Sequence, residues 1–322
     1  MKVFFYEVFR EEKDALLRHL PAGLDAGFTP HTIQEARQTE PPAGFISIRT
    51  QSVIPEAWAS ELTGILSRST GYDHVKVFLD GSKATIPAGY LPQYCSRAVA
   101  EQALLLWLSL MRKLRAQVEN FRNFDRNGLT GTECRGKMLL VVGVGNIGSE
   151  VCRIGSSLGM ESLGVDIVIR HPSIRYASID DALPKADVIV CSMNLTNENR
   201  GYFHYRVLKK AKPGVIFINI ARGELSPAAD LLRLLEEGIL GGVGLDVYED
   251  EGELATILRS GKTSSDSTTQ AVLKLAQHKN AILTPHNAFN TREALELKAS
   301  QSAAQVEHFL RHGAFLWNVP RS

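Results

Sequence analysis

The sequence predicts an α/β protein: a doubly wound parallel sheet forms the larger domain, and a second, smaller α/β domain accompanies it. From Gly136 onward, short apolar strand segments alternate with helical segments. Continuous apolar strands are typical of a parallel sheet that is covered on both faces. A separate set of strand and helix signals lies upstream of Ser96. The length of 322 residues also exceeds that of one typical domain.

Composition and charge exclude several classes of function. The chain is 44% hydrophobic and 22% charged, which is typical of a soluble globular protein, and its net charge is +1. Bulk charge therefore attracts neither nucleic acid nor an anionic membrane. No segment reaches the roughly 20 apolar residues that span a bilayer. The N-terminal run MKVFFYEVFREEK is too short and too soon charged for a signal peptide.

Cysteine usage indicates a reducing compartment. The four cysteines are widely spaced and form no CxxC pair, which predicts reduced, buried thiols in a cytoplasmic protein. They are Cys95, Cys134, Cys152 and Cys191.

The smaller domain is predicted from both ends of the chain. KVFFYEV, GFISI and ELTGILS have the pattern of strands, and EEKDALLRHL, between the first two, has helical spacing. PAGYLPQY predicts an irregular connection, because it contains two prolines and a glycine. The final stretch, REALELKASQSAAQVEHFLRHG, predicts a long amphipathic helix that packs back on this domain. We therefore place the smaller domain at residues 1–97 and 291–322, and the larger one at residues 98–290.

The first helix of the larger domain is unusually apolar. SRAVAEQALLLWLSLMRKL opens with Ser96 as a candidate N-cap. Glu101 lies early in the helix, where the helix dipole favours a negative charge. Its middle, from Leu104 to Leu110, is apolar nearly all round, which predicts burial on every side. A subunit interface in a homodimer and the central helix of a monomer both account for this pattern.

The larger domain continues with six strand candidates: KMLLVVG, ESLGVD, DVIVCS, VIFINI, GGVGLD and AILTP. Helical segments are predicted at residues 148–158, 202–210 and 227–236. Six strands match the Rossmann-type arrangement of two mononucleotide-binding halves. Between the last two strands, LRSGKTSSDSTTQ is polar and predicts a surface loop that leads into a helix, AVLKLAQH.

A glycine loop follows the first of these strands, in VVGVGNIG. In a GxGxxG loop the first glycine permits the tight turn, the second lets the backbone approach a pyrophosphate, and the third allows close helix packing. The helix N-terminus then faces the phosphates. The strand before the loop and the helix after it make this match more specific than the motif alone. The predicted cofactor contacts here are Gly143, Gly145, Asn146, Ile147 and Gly148.

Asp166 favours NAD over NADP. It ends the next strand, 18 residues beyond the last glycine, near the spacing expected of a ribose-binding carboxylate. An acid at this position repels a 2′-phosphate, and Ile167 rather than an arginine follows it. The alternative is an aspartate that only caps a loop, and Arg170 leaves some tolerance of NADP open.

Three charged side chains follow later strands of the same sheet. Arg222 in FINIARGE supplies a permanently charged fork for a carboxylate. His286 in AILTPHN can transfer a proton near neutral pH. In YEDEGE, Glu249, Asp250 and Glu251 compete for the role of a carboxylate that stabilises protonated His286. The alternatives are a surface salt bridge for the arginine, a structural histidine and a solvated acidic cluster.

Ligands of doubly wound sheets bind outside the carboxyl ends of the strands. The cation, the carboxylate and the imidazole are therefore expected over one pocket. With the glycine loop, they indicate hydride transfer to or from a small anionic substrate. No metal site is predicted.

These residues resemble the D-isomer-specific 2-hydroxyacid dehydrogenase family. VVGVGNIGSEVCRIGSSLGM, VIFINIARGELSPAADLLRLLEEGILGGVGLDVYEDE and ILTPHNAF are similar to its signature regions in order and spacing, and the resemblance covers nearly the whole chain. It implies a flavodoxin-like smaller domain and a catalytic set of Arg222, Glu251 and His286. Glu251 is selected because the family's glutamate lies five residues beyond the aspartate found here at Asp246. The resemblance also implies cofactor contacts at Asn194, Ala221 and Asp246.

Within the family, the chain resembles the D-lactate dehydrogenase branch. KVFFYEVFREEK is similar to that branch's opening strand, RSTGYDHV to its substrate loop and LPQYCSRAVAEQ to the segment with its pocket tyrosine. Three features depart from the family: Asn194 replaces a frequent proline, Gly252 replaces another, and residues 253–269 match no branch. The implied substrate contacts are Ser69, Thr70, Gly71, Tyr94 and Phe289.

The resemblance implies a cytoplasmic, homodimeric enzyme that transfers hydride reversibly between NADH and a small 2-keto acid, of the D-lactate/pyruvate type. Hydroxypyruvate or glyoxylate, phosphoglycerate and phosphite are alternative substrates, and Arg49 and Arg68 are candidates to bind a phosphate. A non-enzymatic alternative is an NAD(H)-sensing, corepressor-like binding protein. Neither nucleic acid nor a membrane is predicted as a partner.

Overall fold

The computed structural model describes residues 2–261 and 263–320, so that Met1, Lys262, Arg321 and Ser322 of the predicted segments lie outside the described residues. The chain divides into two compact units. The first takes in the chain up to Cys95 and again from Asn290 onward, and the second spans Ser96–Phe289. In the described part of the chain, no helix is long and apolar enough to cross a membrane.

The strands, numbered in chain order, are β1 (Val3–Phe5), β2 (Ala26–Phe28), β3 (Phe45–Ile48), β4 (Gly64–Ser67), β5 (Ala88–Gly89), β6 (Met138–Val142), β7 (Glu161–Val165), β8 (Arg175–Tyr176), β9 (Val188–Cys191), β10 (Val215–Asn219), β11 (Leu240–Leu245) and β12 (Ala281–Leu283). The α-helices are α1 (Arg10–His19), α2 (Ile33–Ala36), α3 (Asp73–Ser82), α4 (Ser96–Met111), α5 (Leu114–Asn120), α6 (Asn146–Ser157), α7 (Ile179–Ala182), α8 (Tyr205–Leu208), α9 (Ala228–Glu236), α10 (Glu251–Ser260), α11 (Ser267–Gln277) and α12 (Arg292–His312).

In the first unit, the described residues form a five-stranded parallel sheet in the order β2-β1-β3-β4-β5. This order is that of a flavodoxin-like fold, so the predicted class of the smaller domain is confirmed. β5 lies within the stretch predicted to be irregular, so that prediction was wrong at Ala88–Gly89. A strand of two residues is too short to show an alternating pattern in the sequence. Ala88 and Gly89 form a strand only because they pair with Ile65 and Leu66 of β4.

The C-terminal helix belongs to this first unit. α12 packs against α1, and the ring of Phe309 on α12 lies 4.7 Å from that of Phe45 on β3. The backbone of Gly64 fits directly beneath the Phe309 ring, because a Cβ atom there would lie 2.5 Å from it. The predicted C-terminal helix is therefore present, and the first unit takes in both ends of the chain.

In the second unit, the described residues form a seven-stranded parallel sheet in the order β12-β11-β10-β9-β6-β7-β8. The six predicted strands are all present, and β8 is an additional strand of two residues that the sequence pattern did not reveal. The chain order reverses between β6 and β9, and such a switch point is where dinucleotides bind in Rossmann-type sheets.

Two predictions about connections were wrong. The helix predicted over residues 202–210 is restricted to Tyr205–Leu208. The loop LRSGKTSSDSTTQ is shorter than predicted, because α10 extends to Ser260 and α11 begins at Ser267. The carboxylate of Asp266 accepts a hydrogen bond of 2.7 Å from the backbone N–H of Thr269, and this N-cap starts α11 before the apolar run.

Helix α4 packs against α6, β10 and β11 and buries Leu106 and Trp107 completely. Within the single chain the helix is not buried on every side, because Leu105 is 54% exposed and Leu108 is 37% exposed. One face of the helix therefore belongs to the core of the second unit, whereas an apolar strip of the other face remains uncovered by this chain.

Candidate active site

The glycine loop leaves room for a ligand where the sequence predicts one. Gly143 has a φ of +90°, and a Cβ atom there would lie 2.5 Å from the backbone of Met193. A Cβ atom on Gly148 would lie 2.1 Å from the carbonyl oxygen of Gly143. At Gly145, the N-cap of α6, a Cβ atom would meet nothing within 4 Å. The loop is thus closely packed on the protein side and open beside a helix N-terminus, as a bound pyrophosphate requires.

Asp166 is tied to the same loop. One of its oxygens accepts a hydrogen bond of 2.6 Å from the N–H of Val144, and the other accepts one of 3.0 Å from the N–H of Val168. The carboxylate is therefore fixed between the glycine loop and the chain that follows β7. This position suits a carboxylate that also accepts hydrogen bonds from ribose hydroxyls.

Beyond β9, the segment beside the loop is held by side chains that the sequence did not single out. The hydroxyl of Ser192 donates to the carbonyl of Gly143 at 2.7 Å. Asn199 donates through Nδ2 to the carbonyl of Asn194 at 2.8 Å and accepts through Oδ1 from the N–H of Thr196. Asn199 therefore fixes the turn that contains Asn194, a predicted cofactor contact.

Glu251 and His286 are in direct contact. Nδ1 of His286 lies 2.7 and 2.8 Å from the two carboxylate oxygens of Glu251, and both side chains are largely buried. Of the three acids considered from the sequence, Glu251 makes this contact, whereas Glu249 accepts a backbone hydrogen bond from Ala228 and has a pKa raised by burial. Nδ1 of His286 therefore faces the carboxylate, and Nε2 is the ring nitrogen on the other side.

His286 has a strained backbone. Its φ of +48° lies in the left-handed region, which non-glycine residues adopt at a cost. The N–H of His286 donates to the carbonyl of Thr284 at 2.9 Å, so the chain turns sharply as it leaves β12. This turn brings the ring within reach of Glu251.

Asp246 holds the histidine segment in place. The residue is fully buried directly after β11. Burial raises the pKa of its carboxyl group, and the hydrogen bonds to the carboxylate offset only part of this rise. Its oxygens accept hydrogen bonds from the hydroxyl of Thr284 at 2.6 Å and from the N–H groups of Asn287 at 2.9 Å and Ala288 at 2.8 Å. Asp246, predicted as a cofactor contact, is therefore engaged on both oxygens by the chain itself.

Tyr248 and Gln102 support the same segment and were missed in the sequence. The hydroxyl of Tyr248 donates to the carbonyl of Thr284 at 2.8 Å, and Nε2 of Gln102 donates to the hydroxyl of Thr284 at 3.2 Å. Burial raises the pKa of Tyr248, so its hydroxyl stays a donor. Neither contact has a local sequence signal, because each joins residues far apart in the chain.

The loop that bears Arg222 is fixed by a buried asparagine. Asn219 ends β10, donates through Nδ2 to the carbonyl of Arg222 and to the hydroxyl of Ser226, both at 2.8 Å, and accepts from the N–H of Ala221 at 2.9 Å. Nη1 of Arg222 donates to the carbonyl of Ala221 at 2.8 Å. β10, β11 and β12 are adjacent parallel strands, so Arg222, Asp246 and His286 follow three neighbouring strand ends.

Gly223, in the loop that bears Arg222, lies directly against the backbone of the segment that leads to Glu251. A Cβ atom on Gly223 would lie 1.8 Å from the carbonyl carbon of Tyr248 and 2.1 Å from the backbone nitrogen of Glu249. These are backbone atoms, which cannot move aside as a flexible side chain can. The close approach therefore sets the distance between the segments that carry Arg222 and Glu251.

Gly223→Ala is expected to damage both stability and turnover. The added methyl group forces the two segments apart, and overpacking of this kind typically costs about 1–3 kcal/mol of unfolding free energy. Urea unfolding of the variant and of the wild type measures this cost. An unchanged unfolding midpoint with unchanged turnover would show that the approach is not rigid.

The predicted substrate contacts are divided between the units. Ser69, Thr70, Gly71 and Tyr94 belong to the first unit, and the second unit ends at Phe289. The hydroxyl of Ser69 donates to the carbonyl of Gly71 at 2.6 Å, which closes the loop after β4. Tyr94 is buried, and burial raises its pKa well above its usual value. Across residues 2–261 and 263–320, no group of three or more His, Cys, Asp or Glu side chains is arranged to hold a metal ion.

Comparison with known proteins identifies the family. The family model for the NAD binding domain of D-isomer specific 2-hydroxyacid dehydrogenases matches residues 104–288, which is more than half of the chain. The chain belongs to this family. It is an NAD-dependent oxidoreductase of 2-hydroxy acids, so the predicted family, reaction class and cofactor are confirmed.

Several relatives match over most of their length. The D-lactate dehydrogenase of Streptococcus agalactiae is 29% identical over 315 residues, which are 92% of this chain and 93% of that protein. The aromatic 2-oxoacid reductase of Clostridium sporogenes is 30% identical over 76% of this chain and 75% of its own length. The crystal structure of D-lactate dehydrogenase from Aquifex aeolicus, complexed with NAD and lactic acid, has a TM-score of 0.83 at 26% identity and covers 99% of this chain and 100% of that chain.

Proposed function

We propose that this enzyme reduces a small, unphosphorylated 2-keto acid of the pyruvate type to the D-2-hydroxy acid, and also runs the reverse reaction. The observation that carries the proposal is the Glu251–His286 pair, with 2.7 Å between the carboxylate and Nδ1. It lies at the carboxyl edge of a Rossmann-type sheet, and the loop bearing Arg222 packs against the segment that leads to Glu251. A largely buried imidazole that a carboxylate orients in this way is suited to proton transfer.

In the proposed mechanism, His286 supplies the proton. Its Nδ1–H bond to Glu251 stabilises the imidazolium and directs Nε2–H toward the keto oxygen of the substrate. Bound NADH supplies the hydride that the carbonyl carbon accepts. As the C=O bond becomes C–O–H, Nε2 releases its proton to the oxygen and His286 becomes neutral. In the oxidising direction, neutral His286 takes the hydroxyl proton.

Arg222 is proposed to bind the substrate carboxylate and to polarise the keto oxygen. A guanidinium stays charged at all relevant pH values and can donate two parallel hydrogen bonds. Negative charge develops on the keto oxygen during hydride transfer, so a cation fixed there stabilises the transition state more than the bound substrate. The Asn219 side chain, which is bonded to the carbonyl of Arg222, fixes this loop before the substrate arrives.

The cofactor contacts proposed from the sequence are consistent with the geometry of the glycine loop. The open side of Gly145 and the N-terminus of α6 suit the pyrophosphate, and Asp166 suits a ribose. The residues proposed to hold NAD are Gly143, Gly145, Asn146, Ile147, Gly148, Asp166, Asn194 and Ala221, with Asp246 supporting the site from beneath. In the smaller unit, Ser69, Thr70 and Gly71 are proposed to hold the substrate carboxylate through backbone N–H groups. Tyr94 in the first unit and Phe289 in the second are each proposed to contact the substrate.

The state of the first unit's arginines disfavours a phosphorylated substrate. Arg68 is fully buried, and its guanidinium donates to Glu12 at 3.1 Å, to the hydroxyl of Ser47 at 3.0 Å and to the carbonyl of Tyr6 at 2.6 Å. A side chain engaged in this way is not available to a phosphate. The guanidinium of Arg49 lies 5.9 Å from the ring centroid of Phe9. An unphosphorylated acid therefore remains the better candidate.

A substrate panel tests this proposal. NADH oxidation would be followed with pyruvate, 2-ketobutyrate, phenylpyruvate, 2-ketoisocaproate, hydroxypyruvate, glyoxylate and 3-phosphohydroxypyruvate. The proposal predicts the highest kcat/KM for pyruvate or 2-ketobutyrate. A preference for phenylpyruvate would move the assignment toward aromatic acids, and one for a phosphorylated acid would contradict it. Tight NADH binding without turnover on any acid would favour the corepressor-like alternative.

Asp166→Ser is expected to weaken the preference for NADH. The substitution removes the charge that repels a 2′-phosphate and also loses a ribose acceptor. We expect KM for NADH to rise about tenfold, the effect of losing ~1.4 kcal/mol of binding, while kcat/KM for NADPH rises. Steady-state kinetics with both cofactors check this, with Asp180→Ser on the exposed face of α7 as a control. An unchanged NADH/NADPH ratio would rule out the proposed role of Asp166.

We propose that the enzyme is a homodimer built on an uncovered apolar strip that is formed by α4, α5 and the residues directly after α5. Large apolar side chains there are exposed in the single chain, and Phe121 is 75% exposed. Monomeric proteins rarely leave contiguous apolar patches of this kind in water. The strip consists of Leu105, Leu108, Leu114, Val118, Phe121 and Phe124.

Phe121→Glu is expected to convert a dimer into a monomer, because it places a charge where the partner's apolar strip would pack. Sedimentation velocity of the wild type and the variant measures the change. A wild-type monomer at micromolar concentration would rule out the proposal.

We also propose a cytoplasmic location, which the wide spacing and the burial of the four cysteines support.

A further inference from the structure

A fully buried charged cluster lies in the first unit. Nζ of Lys298 on α12 lies 2.6 Å from Oε1 of Glu12 on α1, and Nε of Arg68 lies 3.1 Å from the same oxygen. All three side chains have 1% exposure or less. Charged residues are almost never buried to this extent unless they are paired with one another. We call these three residues the Glu12 cluster.

The cluster lies at the ligand-binding edge of the flavodoxin-like sheet. Arg68 directly follows β4, and its guanidinium reaches the carbonyl of Tyr6 after β1 and the hydroxyl of Ser47 on β3. In such sheets, ligands bind outside the carboxyl ends of the strands. Arg68 is also the immediate neighbour of Ser69, the first residue of the proposed carboxylate-binding loop. Nζ of Lys298 lies 5.9 Å from the ring centroid of Tyr94, a proposed substrate contact.

The charges of the Glu12 cluster do not balance. Arg68 and Lys298 contribute two positive charges, and Glu12 supplies one negative charge. Arg49, just after β3, adds to the positive potential that acts on both Glu12 and Lys298. An excess buried charge is costly unless an opposite charge approaches it. The carboxylate of a 2-keto acid on the Ser69–Gly71 loop would be such a charge.

We propose that Lys298 is a positioning residue for substrate binding: its ammonium, held by Glu12, gives the edge beside Ser69–Gly71 the excess positive charge that attracts the substrate carboxylate. This inference rests on the proposed function, because it assumes that an anionic 2-keto acid binds to this loop. Lys298 acts through the local potential and does not take part in the transfer of hydride or of a proton. It therefore affects KM more than kcat.

The cluster also makes this effect depend on pH. Burial lowers the pKa of Lys298 to about 7, with Arg49 and Arg68 acting in the same direction and Glu12 opposing them. Burial raises the pKa of Glu12, but Lys298, Arg68 and Arg49 outweigh it and lower that pKa to about 2. Glu12 therefore stays ionised, and Tyr94, whose pKa burial raises, stays neutral. Lys298 carries its charge below about pH 7 and loses it above, so carboxylate affinity falls as the pH rises.

Variants that remove one or two charges from the Glu12 cluster, compared with a matched control, test the proposal. Lys298→Met removes the ammonium but keeps much of the side-chain volume, and we expect KM for pyruvate to rise about tenfold, as removal of one nearby charge predicts, with kcat within about twofold. The double variant Glu12→Gln/Lys298→Met restores the net charge of the cluster, and we expect it to recover most of the wild-type KM. Lys13→Met, an exposed change of the same kind on α1, should leave KM unchanged, because solvent screens its charge.

Binding of oxamate, the amide isostere of pyruvate, to the NADH complex provides a second readout. Calorimetry on the wild type should show a Kd that rises between pH 6 and pH 8.5, and Lys298→Met should flatten that rise. The double variant Glu12→Gln/Lys298→Met should flatten the rise as well, so the proposal stays testable if the single variant does not fold.

The outcomes are distinguishable. An active wild-type enzyme with a pH-independent oxamate Kd, or a Lys298→Met variant with wild-type KM, would overturn the inference and leave the proposed function intact. A double variant no better than Lys298→Met would assign the cluster a structural role and also overturn it. A wild type that neither reduces any 2-keto acid nor binds oxamate would overturn the proposed function, and the inference with it.

Discussion

His286→Ala is expected to reduce kcat for 2-keto acid reduction by about 10³-fold, since a positioned general acid typically contributes 10²–10⁴. The alanine removes the proton donor but leaves the glycine loop and Asp166 unchanged. The affinity for NADH should therefore stay near its wild-type value. Single-turnover measurements with saturating NADH and pyruvate, together with NADH fluorescence titration, separate the two effects.

Two comparisons make this expectation specific. His31→Ala replaces an exposed histidine of the first unit and should retain wild-type turnover. A His286→Ala enzyme with more than a tenth of wild-type kcat would remove His286 from the proposed role. Loss of NADH binding in that variant would instead indicate that the strained turn at His286 supports the fold of the site.

Arg222→Lys is expected to lower kcat/KM for pyruvate by about 10²-fold or more, a loss comparable to that of one preorganised transition-state donor. Lysine keeps the positive charge but cannot donate the two parallel hydrogen bonds of a guanidinium. The loss should appear in kcat as well as in KM, because the contact with the keto oxygen strengthens as negative charge develops there. Steady-state kinetics at saturating NADH measure both constants.

Arg233→Lys is the matched control for this substitution. Arg233 lies on the solvent-exposed face of α9, where it pairs with Glu237 at 2.8 Å, and exposed pairs of this kind contribute little. The control should behave as the wild type does. Near-normal turnover of Arg222→Lys would show that only the charge of Arg222 is required and would contradict the proposed bidentate contact.

Much of the fold could be predicted because its signals are local. Apolar strand segments, the glycine spacing and the long C-terminal helix each depend on neighbours in sequence, and β6, α6 and α12 lie where the pattern places them. The two-residue strands β5 and β8 could not be predicted, because they exist only through pairing with strands remote in the chain. The early start of α11 was missed because a polar cap, Asp266, sets it rather than the apolar run.

The sequence indicates which polar residues follow the strand ends, but not the hydrogen bonds and close contacts that hold them in place. Arg222, Asp246 and His286 each follow a strand, so the parallel sheet alone brings them to one edge. The hydrogen bonds that Asp246 accepts from the N–H groups of Asn287 and Ala288 join residues about 40 positions apart, and no local pattern encodes them. The contact of Gly223 with the Tyr248 backbone is similarly invisible in sequence, although a glycine directly after a predicted catalytic arginine was a usable signal.

The hand of the product tests the central claim most directly. The enzyme would be incubated with NADH and pyruvate to completion, and the lactate formed would be resolved by chiral chromatography. The account predicts D-lactate alone, formed in equal amount to the NADH consumed. L-lactate, a racemic product or NADH oxidation without lactate would contradict it.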